Sequence, residues 1–225
     1  MIEVIGLTKS YGRKSILTDI NLTFEPGLVY GIVGSNGAGK TTLFKCIAGL
    51  EKHKGIVHST YGKTKDHIGY LETNPTVMSR LTGLEYLKLL SLARKQRYAD
   101  FKAQNIFNLP LQEYAQHYST GMKKKLALTA ILLQRNNIYI LDEPFSGVDI
   151  QSNILISEII RRLKSENKIV IIASHIFSIL SEVCDQIFVL NEGKIEQIVH
   201  RDDFDSLDER MKERFIDNKL DGLKF

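Results

Sequence analysis

The sequence predicts an α/β fold, a mostly parallel sheet with helices on both faces, and three features carry that expectation. The apolar runs "NIYIL", "KIVIIAS" and "QIFVL" each follow a stretch with helical spacing, which is the pattern of parallel strands buried on both sides. A glycine-rich segment, "GSNGAGKTT", lies between an apolar strand and a helix. Residues 1–30 instead read as short strands and turns, with Ile2–Ile5 and Asn21–Phe24 alternating apolar with polar, and an antiparallel β subdomain is expected there.

A chain of 225 residues is long enough to bury one core. It reads as a single domain, 1–225. A core with its β subdomain takes 1–72 and 120–200, a short α-helical subdomain takes 73–119, and a helical tail takes 201–225. In order, Ile2–Ile5 and Asn21–Phe24 read as strands, with a "YGRKS" loop between them and a Pro26–Gly27 turn after. Leu28–Val33 is an apolar strand, and the helix behind the glycine-rich segment carries Leu43, Phe44, Ile47 and Leu50. Cys46 in that helix reads as a small packing residue. Gly55–Leu71 is rich in strand formers. Thr82 and Glu85 then form a capping box that opens the helix "LTGLEYLKLLSLARK". Its leucines exceed one stripe, so it is covered on more than one side, by its own domain or by a partner. Helices at Met122–Leu133, Asn153–Lys164 and Phe177–Val183 lead to the three apolar runs. Leu207, Met211 and Phe215, four apart in a charged tail, predict a peripheral helix. There are no internal repeats and no low-complexity segments.

Composition narrows the function classes. A formal charge of +4 suits an anionic ligand but is too small to argue for a nucleic-acid partner, and none is expected. Cys46 and Cys184 fit no metal spacing, and "MIEVIGL" reads as a strand rather than a leader, so a reduced cytosolic setting is expected. The longest apolar stretches, such as Leu126–Leu133 and Ile169–Ala173, fall far short of the ~20 residues of a membrane span. Any membrane part must come from another chain.

"GSNGAGKT", Gly34–Ser35–Asn36–Gly37–Ala38–Gly39–Lys40–Thr41, matches the P-loop pattern and is followed by Thr42. Its glycines let the backbone wrap a phosphate chain with amide hydrogens pointing inward, and the following helix adds its positive end. Lys40 is placed to reach the terminal phosphates and the Thr41 hydroxyl to bind Mg²⁺. About a hundred residues later "NIYILDEP" ends a strand on Asp142, where a carboxylate can hold the metal. Glu143 follows, placed to polarise an attacking water, a general-base role worth ~10²–10⁴ in rate.

These motifs resemble, in order, those of the nucleotide-binding domain of ABC transporters, over nearly the whole chain from Ile2 to about Val199. "GSNGAGKTT" looks like its Walker A and "IYILDEP" its Walker B. "SGVD" (Ser146–Asp149) resembles the D-loop, and "ASH" the strand ending in the switch histidine, here His175. "FVLNEGKIEQ" is similar to the late strand pair, and Tyr11 sits where an aromatic stacks on adenine. "YSTGMKKKL" falls where the signature motif belongs. The resemblance implies a P-loop ATPase core that binds ATP and Mg²⁺ and pairs head to tail around two ATP molecules. Lys40, Thr41, Asp142, Glu143 and His175 of one subunit then face Ser119 and Gly121 of the other, with Asp149 among the nucleotide-binding residues. It further implies a separate transmembrane permease, powered from the cytoplasmic face of the membrane by a homodimer or by a heterodimer with a paralogue.

Two departures stand out. The signature reads Ser-Thr-Gly-Met where the family more often has Ser-Gly-Gly-Gln. Met122 is familiar in the export-type branch, whereas the β-branch of Thr120 resists backbone angles that glycine adopts. In "IGYLETNP", register puts Thr73 in place of the Q-loop glutamine, as a candidate metal ligand, with Glu72 the alternative if the loop shifts by one. Lys123, Lys124 and Lys125 read as first-turn residues adding positive field near phosphate. The leading expectation is an ATPase subunit that powers a permease, in the export direction. The alternatives are a soluble ABC-type ATPase acting as a scaffold or assembly factor, and a nucleotide-gated binding module with little turnover.

Overall fold

A computed structural model describes residues 1–97 and 100–205 of the chain. Strands β1 (Ile2–Tyr11) and β2 (Lys14–Phe24) form an antiparallel hairpin. Both are longer than their alternation suggests. A register shift between Val4 and Leu7, where Gly6 has φ 60°, breaks the period of two without ending the strand. The "YGRKS" segment is therefore mostly strand, turning only at Gly12–Arg13. After β3 (Val29–Val33) and helix α1 (Lys40–Ile47), strand β4 (Lys54–Ser59) joins the other edge of β1, giving the antiparallel order β2-β1-β4.

The main sheet adds β5 (Ile68–Leu71), β6 (Ile138–Asp142), β7 (Ile169–Ser174), β8 (Gln186–Asn191) and β9 (Lys194–His200) in the order β5-β6-β7-β3-β8-β9. The first five positions of that order are parallel, and β9 returns antiparallel on β8. Successive side chains feed two cores. Ile138, Ile140, Ile169, Ile171 and Ala173 face α1 and the antiparallel sheet. Tyr139, Leu141, Val170 and Ile172 face the other helices. The run is continuously apolar because each strand is buried on both faces.

Those other helices are α2 (Gly83–Ala93), α3 (Thr120–Leu133), α4 (Ile150–Ser165) and α5 (Phe177–Val183). The capping box of α2 is complete: Thr82 Oγ1 accepts from the Glu85 amide, and the Glu85 carboxylate accepts from the Thr82 amide at 2.8 Å. On α2 Tyr86 and Leu87 are buried while Leu89 and Leu92 stay exposed, so its own domain covers one side only. Both α3 and α4 begin earlier than their apolar spacing suggests, because Ser119 and Asp149 cap them. Leu50 is not part of α1. Gly49, at φ 73°, ends that helix with its amide on the Cys46 carbonyl, and Leu50 is left 61% exposed. In the tail, Phe204 packs edge-on against Phe177. Leu207, Met211 and Phe215 lie outside the described residues.

Candidate active site

The cleft of interest opens where the parallel strands end. The turn from β3 into α1 requires glycine twice. A Cβ on Gly34 would lie 2.3 Å from the Leu190 carbonyl oxygen, and Gly39 holds φ 110° while packed against Leu17 and the Ile16 carbonyl. Gly39 occupies the N-cap of α1 without a side-chain capping bond, so the first amides of α1 stay available to an anion. Lys40 is buried and donates to the Gly34 and Ser35 carbonyls at 2.7 and 3.2 Å. Burial lowers its pKa, and the nearby charges of Glu143 and Asp142 oppose that shift.

A cleft of about 430 Å³ gathers most of the expected residues: Asn36, Gly37, Gly39, Lys40, Thr41 and Thr42 from the loop and helix, with Thr73, Asp142 and Glu143 opposite. Thr41 Oγ1 donates to Asp142 Oδ2 at 2.7 Å. Asp142 is 1% exposed, and its Oδ1 is buried without a hydrogen-bond partner. Burial raises its pKa, against the pull of the Thr41 and Thr73 hydroxyls. Thr73 therefore faces Asp142, whereas Glu72 lies 3.9 Å from Lys45 on the outer side of α1.

Glu143 has a left-handed backbone, φ 52°, unusual for a non-glycine residue and costing of order 1 kcal/mol. Its amide donates to the Ala173 carbonyl at 3.0 Å, and its carboxylate meets His175 Nδ1 at 3.0 Å through either oxygen. β6 and β7 are neighbours in the sheet, and that pairing brings the two side chains together.

Other expected residues stand apart. Ser119 is exposed and caps α3, its Oγ accepting from the Met122 amide at 3.2 Å. Gly121 lies so close to Gly147 that a Cβ would come within 2.7 Å of its carbonyl. Asp149 caps α4 through the Ser152 amide and pairs with Lys125 at 3.1 Å, which together depress its pKa. Tyr11 is half exposed, with Lys9 Nζ 4.5 Å over its ring. None of these four walls the cleft, which instead includes Lys14 and Ile16 of β2. Thr120 is the first residue of α3 and has no positive φ, so its β-branch meets no backbone conflict there.

Sequence reasoning missed Lys14, Ile16 and Lys124. Lys14 and Ile16 were hidden by reading the hairpin arm as a loop. Lys124 reads in sequence as a first-turn lysine adding positive field near phosphate, yet it is 2% exposed, with its ammonium on the Glu143 and Ser146 carbonyls. Its spacing of three and four from Ala127 and Leu128 puts it on the buried face of α3, and that spacing was the available signal.

The family described as "ABC transporter" matches residues 17–146, more than half of the chain. The chain belongs to the ABC transporter family. Among its relatives, the bacitracin transport ATP-binding protein BcrA of Enterococcus faecalis is 32% identical over 217 residues, covering 89% of this chain and 69% of that protein. The lantibiotic transport ATP-binding protein SrtF of Streptococcus pyogenes is 30% identical over 228 residues, covering 97% and 99%. A solved ATP-binding subunit of an ABC transporter superposes with TM-score 0.82 at 26% identity, over 95% of this chain and 98% of that one. A dimeric ATP-binding cassette bound to ADP and Pi shares the fold, with TM-score 0.81 at 20% identity over 89% and 99%. As an ABC transporter ATPase the chain binds ATP and hydrolyses it as the ATP-binding subunit of a transport system. Among the described residues no helix is long and apolar enough to cross a membrane.

Proposed function

We propose that two such ATPase domains, two copies of this chain or this chain and a paralogue, close head to tail over two ATP molecules and drive a separate transmembrane permease from the cytoplasmic face of the membrane. The observation that carries this reading is the division of the site. Lys40, Thr41, Asp142 and Glu143 share one cleft, while Ser119 and Gly121 lie away from it on the same chain. Ser119 opens α3 with its hydroxyl and helix end exposed, an anion-binding arrangement that finds no phosphate within its own subunit. A second subunit supplies one. Relatives named for bacitracin and lantibiotic transport support the transport role, and Met122 in the signature segment favours export as its direction.

Within each site, Lys40 and the open amides of α1 hold the phosphates, and Glu143, oriented by His175, takes a proton from the attacking water. The donor set fits Mg²⁺, because Asp142 Oδ1 is a buried oxygen lacking a partner and the Thr41 and Thr73 hydroxyls lie beside it. Bound there, the ion would neutralise charge on the phosphate oxygens. Tyr11, half exposed at the turn end of the β1–β2 hairpin, is the proposed adenine-stacking residue, and Asp149 fixes the loop that approaches the partner.

The decisive experiment is Glu143→Gln. Turnover falls by ~10²–10⁴, and size exclusion with ATP shows a dimer that the wild type does not accumulate. Full turnover in this variant would remove Glu143 from the base role. A variant that is inactive yet monomeric with saturating ATP would count against the head-to-tail pair.

A further inference from the structure

Lysine 124 is used in a way that stability alone does not explain. Its ammonium is buried and donates to two backbone carbonyls, those of Glu143 at 2.9 Å and Ser146 at 2.6 Å. Burying a lysine against neutral acceptors is costly, since the charge loses its hydration. That cost shows as a lowered pKa, opposed by the charges of Glu143 and Asp142. An apolar or amide side chain would fill the position more cheaply.

What the ammonium holds is the segment that aims the base. The Glu143 carbonyl belongs to the one residue of this turn with a strained left-handed backbone. It also accepts from the Ser146 amide at 3.2 Å. The same segment meets α3 at two further points, the close approach of Gly121 to Gly147 and the ion pair of Lys125 with Asp149. The start of α3 and residues 143–149 are thus joined at three places, with Lys124 the only one that touches Glu143 itself.

We propose that Lys124 is a positioning residue for hydrolysis, which holds the Glu143 carboxylate in line with the phosphate end of the cleft and ties it to the helix capped by Ser119. This inference rests on the head-to-tail pair proposed above. There, Ser119 touches nucleotide held by the partner, five residues along α3 from the lysine that holds Glu143 of its own subunit. Occupancy of one site is passed to the base of the other through a single rigid helix.

The test uses the purified full chain and five variants, Lys124→Met, Lys124→Gln, Ser119→Ala, Glu143→Gln and the Ser119→Ala/Lys124→Met double, with kcat, KM, thermal midpoint and the Kd of a fluorescent ATP analogue as readouts. Lys124→Met lowers kcat at least about tenfold, a share of the ~10²–10⁴ due to a positioned base, while KM, Kd and the thermal midpoint hold. Lys124→Gln keeps two N–H donors for the same carbonyls and regains most of the loss. The Ser119→Ala/Lys124→Met double variant is no slower than the slower single one, because both act through the same helix. The proposal is overturned by wild-type kcat in Lys124→Met, by losses in Met and Gln that are equal and track the thermal midpoint, or by strictly multiplicative effects in the double variant. An active Glu143→Gln would locate the failure in the base assignment. An inactive Glu143→Gln beside an active Lys124→Met would locate it in this link alone.

Discussion

Thr73 and Glu72 are adjacent in the chain and face different partners. Thr73 lies against the Asp142 carboxylate inside the cleft, while Glu72 approaches Lys45 outside it. Both follow the end of β5 at Leu71, and the turn there sends only Thr73 into the cleft, so of the two only Thr73 is placed beside the proposed metal position. Thr73→Ala should raise the Mg²⁺ concentration for half-maximal ATPase activity by about tenfold, the usual cost of removing a group that supports a metal. Glu72→Ala should leave it unchanged. A metal titration in which Glu72→Ala gives the larger shift would reverse the assignment. The glycine-to-threonine change at Thr120 is benign for a similar local reason, because that residue has entered a helix.

At the scale of an element, α2 depends on its capping box. Thr82→Ala should destabilise the fold by about 1 kcal/mol, measured as a lower denaturant midpoint with unchanged slope. Its partner Glu85 has a lowered pKa, chiefly from the Thr82 amide. A carboxylate whose folded pKa is depressed stabilises above its unfolded value, here 4.5, and that contribution is lost as the pH falls through the lower folded one. Alanine keeps the amide but loses the Thr82 hydroxyl, which also donates to the Glu85 carboxylate at 2.9 Å, so the gap between wild type and Thr82→Ala should narrow on acidification below that value by the hydroxyl's share alone. A gap that is constant from neutral to acid pH would separate the cap from the charge. The capping box, the P-loop and the strand-tip acid were all legible, because each is a short pattern enforced by backbone chemistry. The true lengths of β1 and β2 were not, since a bulge at Gly6 interrupts the alternation that reveals a strand.

Over the whole molecule, the two cores on either side of the sheet each enclose one thiol. Burial pushes the Cys46 thiol up to about 11, and raises that of Cys184 still further. Neither should react with a thiol reagent at pH 8 in the native chain, and both should react in denaturant. Labelling of Cys46 without global unfolding would show that α1 opens independently of the sheet. The pH dependence has a definite sign. Above pH 9.0 the unfolded chain releases protons that the folded chain retains, so stability falls as the pH rises from there toward 11.

By itself the sequence determined the phosphate loop, the strand-tip pair Asp142–Glu143, the doubly buried strands and the mixed architecture, because these follow from local spacing and backbone conformation. The tertiary structure decided which distant groups meet. It brought His175 to Glu143 through the pairing of β6 with β7, set Lys14 and Ile16 on the wall of the cleft, and directed Thr73 rather than Glu72 inward. It also turned the middle region of a lysine run around. Lys123–Lys125 look alike in sequence, but helical rotation sends Lys124 alone into the interior to hold Glu143, and leaves Lys125 to pair with Asp149. A rotation of about 100° per residue separates neighbours that composition cannot distinguish.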